Sequence, residues 1–257
     1  MKVIFATMAG DALALAENSG TIHAVVGCLL LGSGIIAIAT RKGSARHRFS
    51  GKISVLMSLF LMPTALILLT LTDIHPRPST VSNREELVDF LALILLTAIY
   101  SNLQGYRWAV NHKPKIDADA LMMGMTLFIS VFCLALAPFD VFIAPFKSSV
   151  GTFPLQPISA GLILIGISLL HGFFFIDDLR SYIKGQVSPQ ERITKHMHRS
   201  MAAVGGAFTA FAINNLGPIF VDNNWTVWPV WIVPPTIFVV ITIFFANKMK
   251  PSRQITA

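Results

Sequence analysis

Charge is scarce in this chain. Asp, Glu, Lys and Arg supply 13% of its 257 residues, against about a quarter in a soluble domain. With 54% hydrophobic residues and a mean hydropathy of +0.65, water alone is excluded as the solvent of the whole fold. Cysteine is scarcer still: Cys28 and Cys133 both fall inside apolar runs and read as small packing residues. No lysine precedes Lys248 in the last apolar run, which argues against a retinal Schiff base there. No His-Glu-x-x-His and no other i, i+4 histidine pair occurs, so the helical zinc-hydrolase signature is missing. A Gly-rich phosphate loop is missing too. Acidic residues are almost absent from the apolar runs, which weakens the case for a proton-coupled pump.

What is present is a series of long apolar stretches. They cover Thr21 to Thr40, Ile53 to Thr72, Val88 to Val110, Ala120 to Pro138, Pro157 to Ile176, Ser200 to Val221 and Trp228 to Asn247. At 1.5 Å per residue each crosses about 30 Å of hydrocarbon as a helix. An open sheet would leave unpaired backbone groups in lipid, and a barrel would show alternating ten-residue segments. The expectation is an all-α transmembrane bundle of about seven helices. Residues 1–20 form an outer segment, residues 21–247 the bundle and residues 248–257 a cytoplasmic tail. Asp11 interrupts the apolar stretch near the amino end, which argues against a signal peptide.

The basic residues follow topology rather than a nucleic-acid face. On alternating sides of seven spans, sixteen lysines and arginines fall on one side and only Lys2, Arg77, Arg84 and Lys147 on the other. The positive-inside rule puts the richer side in the cytoplasm, the amino end outside and the carboxyl end inside. Trp225, Trp228 and Trp231 then fall at the outer interface and Trp108 at the inner one. The basic loops are placed to meet anionic lipid. Ala24, Cys28 and Gly32 in the first helix, and Ala202, Gly206 and Ala210 in the sixth, recur every fourth residue and predict close helix approach.

Polar residues at membrane depth need a partner or a role. His171 sits inside the fifth run, with Ser168 and Asp177 nearby in sequence, while His23 is expected outside. His47 and His198 lie at inner helix entries. A neutral imidazole either bonds to a hydroxyl or carbonyl, or ligates haem or metal through one nitrogen while donating from the other. Tyr100, Gln104 and Arg107 recur at helical spacing on the inner half of the third helix. Arg107 either snorkels to phosphate or lines an anionic site. Asn214 and Asn215 place two amides inside the sixth run, as packing glue or as a pathway lining.

Two basic elements carry a likeness to a known family. Lys42-Gly43-Ser44-Ala45-Arg46-His47-Arg48-Phe49-Ser50-Gly51-Lys52 follows the first run, and His196-Met197-His198-Arg199-Ser200-Met201 opens the sixth. Together they resemble a bacterial multi-pass membrane family known as domain of unknown function 2306, in which a K-G-x-x-x-H-R-x-x-G-like hairpin follows an early helix. The resemblance implies a helical membrane fold and says little about activity. Three readings follow. The first is a protein binding b-type haem or another small ligand in the cytoplasmic half of a bacterial inner membrane, with His171 paired to His47 or His198. The second is a small-molecule permease lined by Tyr100, Gln104, Arg107, Asn214 and Asn215. The third is a membrane assembly or scaffold protein.

Overall fold

The computed structural model describes residues 2–74, 84–110, 116–138, 157–223, 225 and 228–248. Among the described residues it holds seven helices and no strand. They are α1 (Lys2–Ala39), α2 (Ala45–Ile74), α3 (Arg84–Val110), α4 (Ile116–Pro138), α5 (Pro157–Lys184), α6 (Pro189–Asp222) and α7 (Trp228–Lys248). His112 and most of the carboxyl-terminal tail fall outside the described residues.

Five helices are long and apolar enough to cross a membrane, over Asn18–Ala39, Ala45–Leu68, Asp119–Pro138, Gly161–Lys184 and Pro229–Lys248. Only 17 to 28% of the residues in each of these windows are buried. Their outward faces therefore expose large apolar side chains such as Leu29, Phe60, Phe128, Leu169 and Val240. Such surfaces are stable in lipid and not in water. The chain is a multi-pass membrane protein.

The two remaining helices, α3 and α6, pack on each other at the centre. α6 also touches α7 and α1, and α3 touches α2 and α4, while α1 pairs with α2 and α4 with α5. A helix surrounded by helices has fewer lipid-facing positions, so its sequence can carry polar residues at lower cost. One apolar core joins Ile94, Ile129, Cys133, Leu164, Ala212, Ile213, Val230 and Trp231. The ends of α3, α5 and α6 away from that core are polar.

Local chemistry sets the helix ends at two hairpins. Ser44 accepts from the His47 backbone N–H at 3.2 Å, so it caps α2, and Gly43 before it takes φ 77°. The basic stretch between the first two runs is thus mostly the first turns of α2. At the α5–α6 hairpin Gly185, at φ 69°, ends α5 by donating to the Ser181 carbonyl at 3.1 Å. Ser188 then caps α6 by accepting from the Glu191 N–H at 3.2 Å, with Pro189 at the first helical position.

Several expectations change. The expected outer segment of residues 1–20 is helical from Lys2, continuous with α1. Cys28 is exposed and Gly32 has nothing within 4 Å of an added Cβ. The inward face of α1 is instead Leu30, Leu31, Ser33 and Gly34, and a Cβ on Gly34 would stand 2.7 Å from Val204 of α6. Four-residue spacing marks a face without saying which way it points. Gly206 does face α3, at ordinary contact distance from Ile94 and Ala98. Trp108 and Trp231 are 7% and 2% exposed, packed against neighbouring helices. His23 falls in the first apolar helical window, its Nδ1 2.9 Å from the Thr64 hydroxyl of α2.

Candidate functional site

Successive residues on a helix point about 100° apart, and Asp177 and Asp178 near the end of α5 use that divergence. Asp178 turns toward α3, where Tyr100, Gln104 and Trp108 stand one turn apart on one face. Its carboxylate accepts from Gln104 Nε2 at 3.1 Å, from Trp108 Nε1 at 3.1 Å and from the Tyr100 hydroxyl at 3.5 Å. Asp177 is 27% exposed.

Lys195 and Arg199, one turn apart on α6, supply the countercharge. Arg199 Nη2 meets Asp178 at 2.5 Å and Asp177 at 3.3 Å, and Lys195 Nζ meets Asp177 at 2.5 Å and Asp178 at 3.7 Å. Both cations are inside the protein, at 0% and 2% exposure. Aromatic faces cover them: Lys195 lies 4.9 Å from the Trp108 ring centroid and Arg199 4.8 Å from that of Phe174. Two carboxylates against two cations make a neutral cluster. Desolvated charges persist only when paired and hydrogen-bonded in this way.

His171 lies beside this network. It is fully buried, with Nε2 3.1 Å from the Thr97 hydroxyl. Its ring packs 5.4 Å from Tyr100 and 6.0 Å from Phe174, centroid to centroid. Three buried polar atoms in this neighbourhood have no hydrogen-bond partner: His171 Nδ1, Gln104 Oε1 and Arg199 Nε. Gln104 and Arg199 share the Asp178 carboxylate, and Tyr100 links that carboxylate to the His171 ring. Shared partners therefore bring the three residues into one neighbourhood.

A second polar group sits where the two basic elements meet. His47 of α2 and His196 of α6 pack edge to face with ring centroids 6.1 Å apart. His47 Nδ1 lies 2.9 Å from the Ala37 carbonyl in the last turn of α1, and His196 Nδ1 2.9 Å from the Gly105 carbonyl of α3. Lys42 also caps α1, donating to the Ile38 carbonyl at 2.8 Å, and lies 5.4 Å from the Phe245 ring centroid. Desolvation there draws its ammonium below the ordinary lysine value.

The expected site residues are thus distributed among several places. Tyr100, Gln104 and His171 come together. Arg107 pairs instead with Asp119 of α4 at 2.6 Å. Asn214 and Asn215 are exposed, each donating to its own helix, to the Ala210 carbonyl at 2.8 Å and the Phe211 carbonyl at 2.7 Å. Of the five residues expected to line one pathway, Tyr100 and Gln104 share a partner, Asp178. His198 packs its ring 6.1 Å from Phe173, and the ring neighbour of His47 is His196 rather than His171.

Sequence reasoning passed over Asp178, Lys195, Arg199, Trp108 and His196 as site residues. A signal was present: two adjacent acids near the end of one span facing, across a short hairpin, a Lys-x-x-x-Arg pair at the start of the next. Compared with known proteins, the chain matches no family model, no curated protein and no solved structure.

Proposed function

We propose that this chain is a multi-pass protein of a bacterial cytoplasmic membrane, amino end outside, that binds a small uncharged polar molecule in its cytoplasmic half among α3, α5 and α6. The observation that carries this reading is the group of unpartnered atoms on His171, Gln104 and Arg199 beside a charge-balanced cluster. Burying a polar atom without a partner costs roughly 1–3 kcal/mol, so three in one neighbourhood favour an occupant. Gln104 Oε1 accepts, Arg199 Nε–H donates and His171 Nδ1 does either according to tautomer. A molecule carrying both donor and acceptor suits these atom types, and the neutrality of the surrounding charges favours an uncharged one.

Haem b is a second reading, favoured by the unpartnered Nδ1 of His171. It requires a second axial ligand, for which His47 and His198 are the candidates. The permease and scaffold readings have less support, the first because Asn214 and Asn215 lie apart from the cluster. The basic inner loops suit contact with anionic lipid.

The test is native mass spectrometry of the protein released from lipid nanodiscs, with absorption spectra before and after dithionite. A bound non-lipid species in the wild type, lost in Gln104→Leu and His171→Phe chains that keep their helical circular dichroism, is the expected result. A Soret band that shifts on reduction would assign haem instead. No retained species and no Soret band would refute both.

A further inference from the structure

We propose that Ser101 of α3 is a further contact residue of the site among α3, α5 and α6, resting on the uncharged polar molecule proposed above, and that this molecule presents to it a hydroxyl or a carboxamide. Thr97, Ser101, Gln104 and Trp108 stand at i, i+4, i+7 and i+11 in α3, a spacing that puts all four on one helix face. That face is turned to α5. Thr97 meets His171 at 3.1 Å, and Gln104 and Trp108 each meet Asp178 at 3.1 Å. Ser101 lies between them, about 6 Å along the helix axis from Thr97 and about 4.5 Å from Gln104. It is 0% exposed, and its hydroxyl has no hydrogen-bond partner among the described residues.

The helices facing Ser101 carry no partner for it at that level. On α5, residues 172–176 between His171 and Asp177 are one glycine, three phenylalanines and one isoleucine. On α6, Arg199 and Ser200 abut Gly105 of α3, and Gly206 abuts Ile94 and Ala98. The stretch opposite Ser101 is therefore Met201 to Gly205, which holds no hydroxyl, amide or charged side chain. Its own helix offers a default that Ser101 does not take. Ser33, Ser50, Ser58 and Ser181 are buried too, and each donates to a carbonyl three or four residues back. Leaving a buried hydroxyl without a partner is costly, so a group from outside the chain belongs beside Ser101.

The atom types narrow what that group is. The Ser101 hydroxyl has a proton to donate, and Gln104 Oε1, one turn away, lacks a donor. A hydroxyl or a carboxamide supplies an acceptor to the first and an O–H or N–H to the second. An ether or a ketone has no proton for Gln104, and an ammonium has no acceptor for Ser101. A carboxylate would add negative charge beside two acids already balanced by Lys195 and Arg199.

The experiment is native mass spectrometry from lipid nanodiscs, following the mass of the non-lipid species that copurifies with the wild type, in Ser101→Ala, Ser101→Cys and a Ser58→Ala control. Alanine deletes the hydroxyl, and cysteine stays near its size with a much weaker donor. Either should lower the retained fraction at least about fivefold. Ser58→Ala should retain it as the wild type does, because that hydroxyl donates to the Val55 carbonyl of its own helix. After the species is stripped by detergent exchange, Ser101→Ala should unfold at the wild-type Tm or above it, whereas truncating a serine with a purely structural bond lowers the Tm. Retention in both Ser101 variants with loss in Gln104→Leu overturns the role of Ser101 and leaves the binding site standing. Equal loss in Ser58→Ala, or a lowered Tm in stripped Ser101→Ala, also overturns it. A wild type that retains no species refutes both, and a retained species with neither hydroxyl nor carboxamide refutes the ligand chemistry.

Discussion

Asp178→Asn removes the one carboxylate that α3, α5 and α6 share. In the wild type Asp178, 3% exposed, accepts from Gln104, Trp108, Tyr100 and Arg199. After the substitution Arg199, at 0% exposure, and Lys195, at 2%, face only Asp177. One buried cation is then uncompensated, and the new amide N–H points among donors. Breaking one side of a buried ion pair costs about 3–5 kcal/mol, far above the roughly 0–1 kcal/mol of a surface pair. The low exposure of the partners makes the larger figure the relevant one. Replacing Asp178 and Arg199 together by leucine leaves Asp177 and Lys195 balanced at 2.5 Å. The double variant should therefore lose less than the sum of the Asp178→Leu and Arg199→Leu single losses, with a coupling of about 1–3 kcal/mol. Reversible unfolding in mixed micelles, followed by Trp108 fluorescence and circular dichroism, measures each corner of the cycle. An Asp178→Asn chain within about 0.5 kcal/mol of wild type, or strictly additive losses, would refute the account of a charge-balanced network.

Other consequences are local. Gly105→Ala would place a methyl 2.8 Å from the Ser200 hydroxyl and 3.2 Å from its backbone nitrogen, so the α3–α6 contact should weaken by about 1–3 kcal/mol; an unchanged Tm would contradict that packing. Gly124→Ala, with nothing within 4 Å, should stay within about 1 kcal/mol of wild type, and a larger loss would show a neighbour on that face. Asn214→Leu should leave both stability and retention of the proposed ligand near wild type, because the amide bonds only its own helix; loss of the bound species in native mass spectra would return Asn214 to the binding surface. Reporter fusions after Lys115 and Arg192 should score cytoplasmic and one after Lys147 external; two adjacent loops on the same side would remove a span.

How much of this was legible beforehand depends on which forces act locally. Hydrophobic length is a property of each segment alone, so α2, α4, α5 and α7 lie close to the runs from Ile53, Ala120, Pro157 and Trp228, extended by polar turns the apolar pattern could not count. The asymmetry of sixteen basic residues against four is likewise a sum over the sequence and needs no fold. Capping at Ser44 and Ser188 is local as well, written in residues adjacent to the helix starts. Facing is different. Nothing in the four-residue spacing of Ala24, Cys28 and Gly32 says whether that stripe meets a helix or lipid, and packing α6 beside Gly34 decided against it. Nor does sequence join Asp178 to Arg199, or His47 to His196. Those pairs depend on which helices become neighbours, and neighbour choice is settled by burying the polar faces of α3 and α6 together at the centre, where desolvated groups have partners and lipid is excluded.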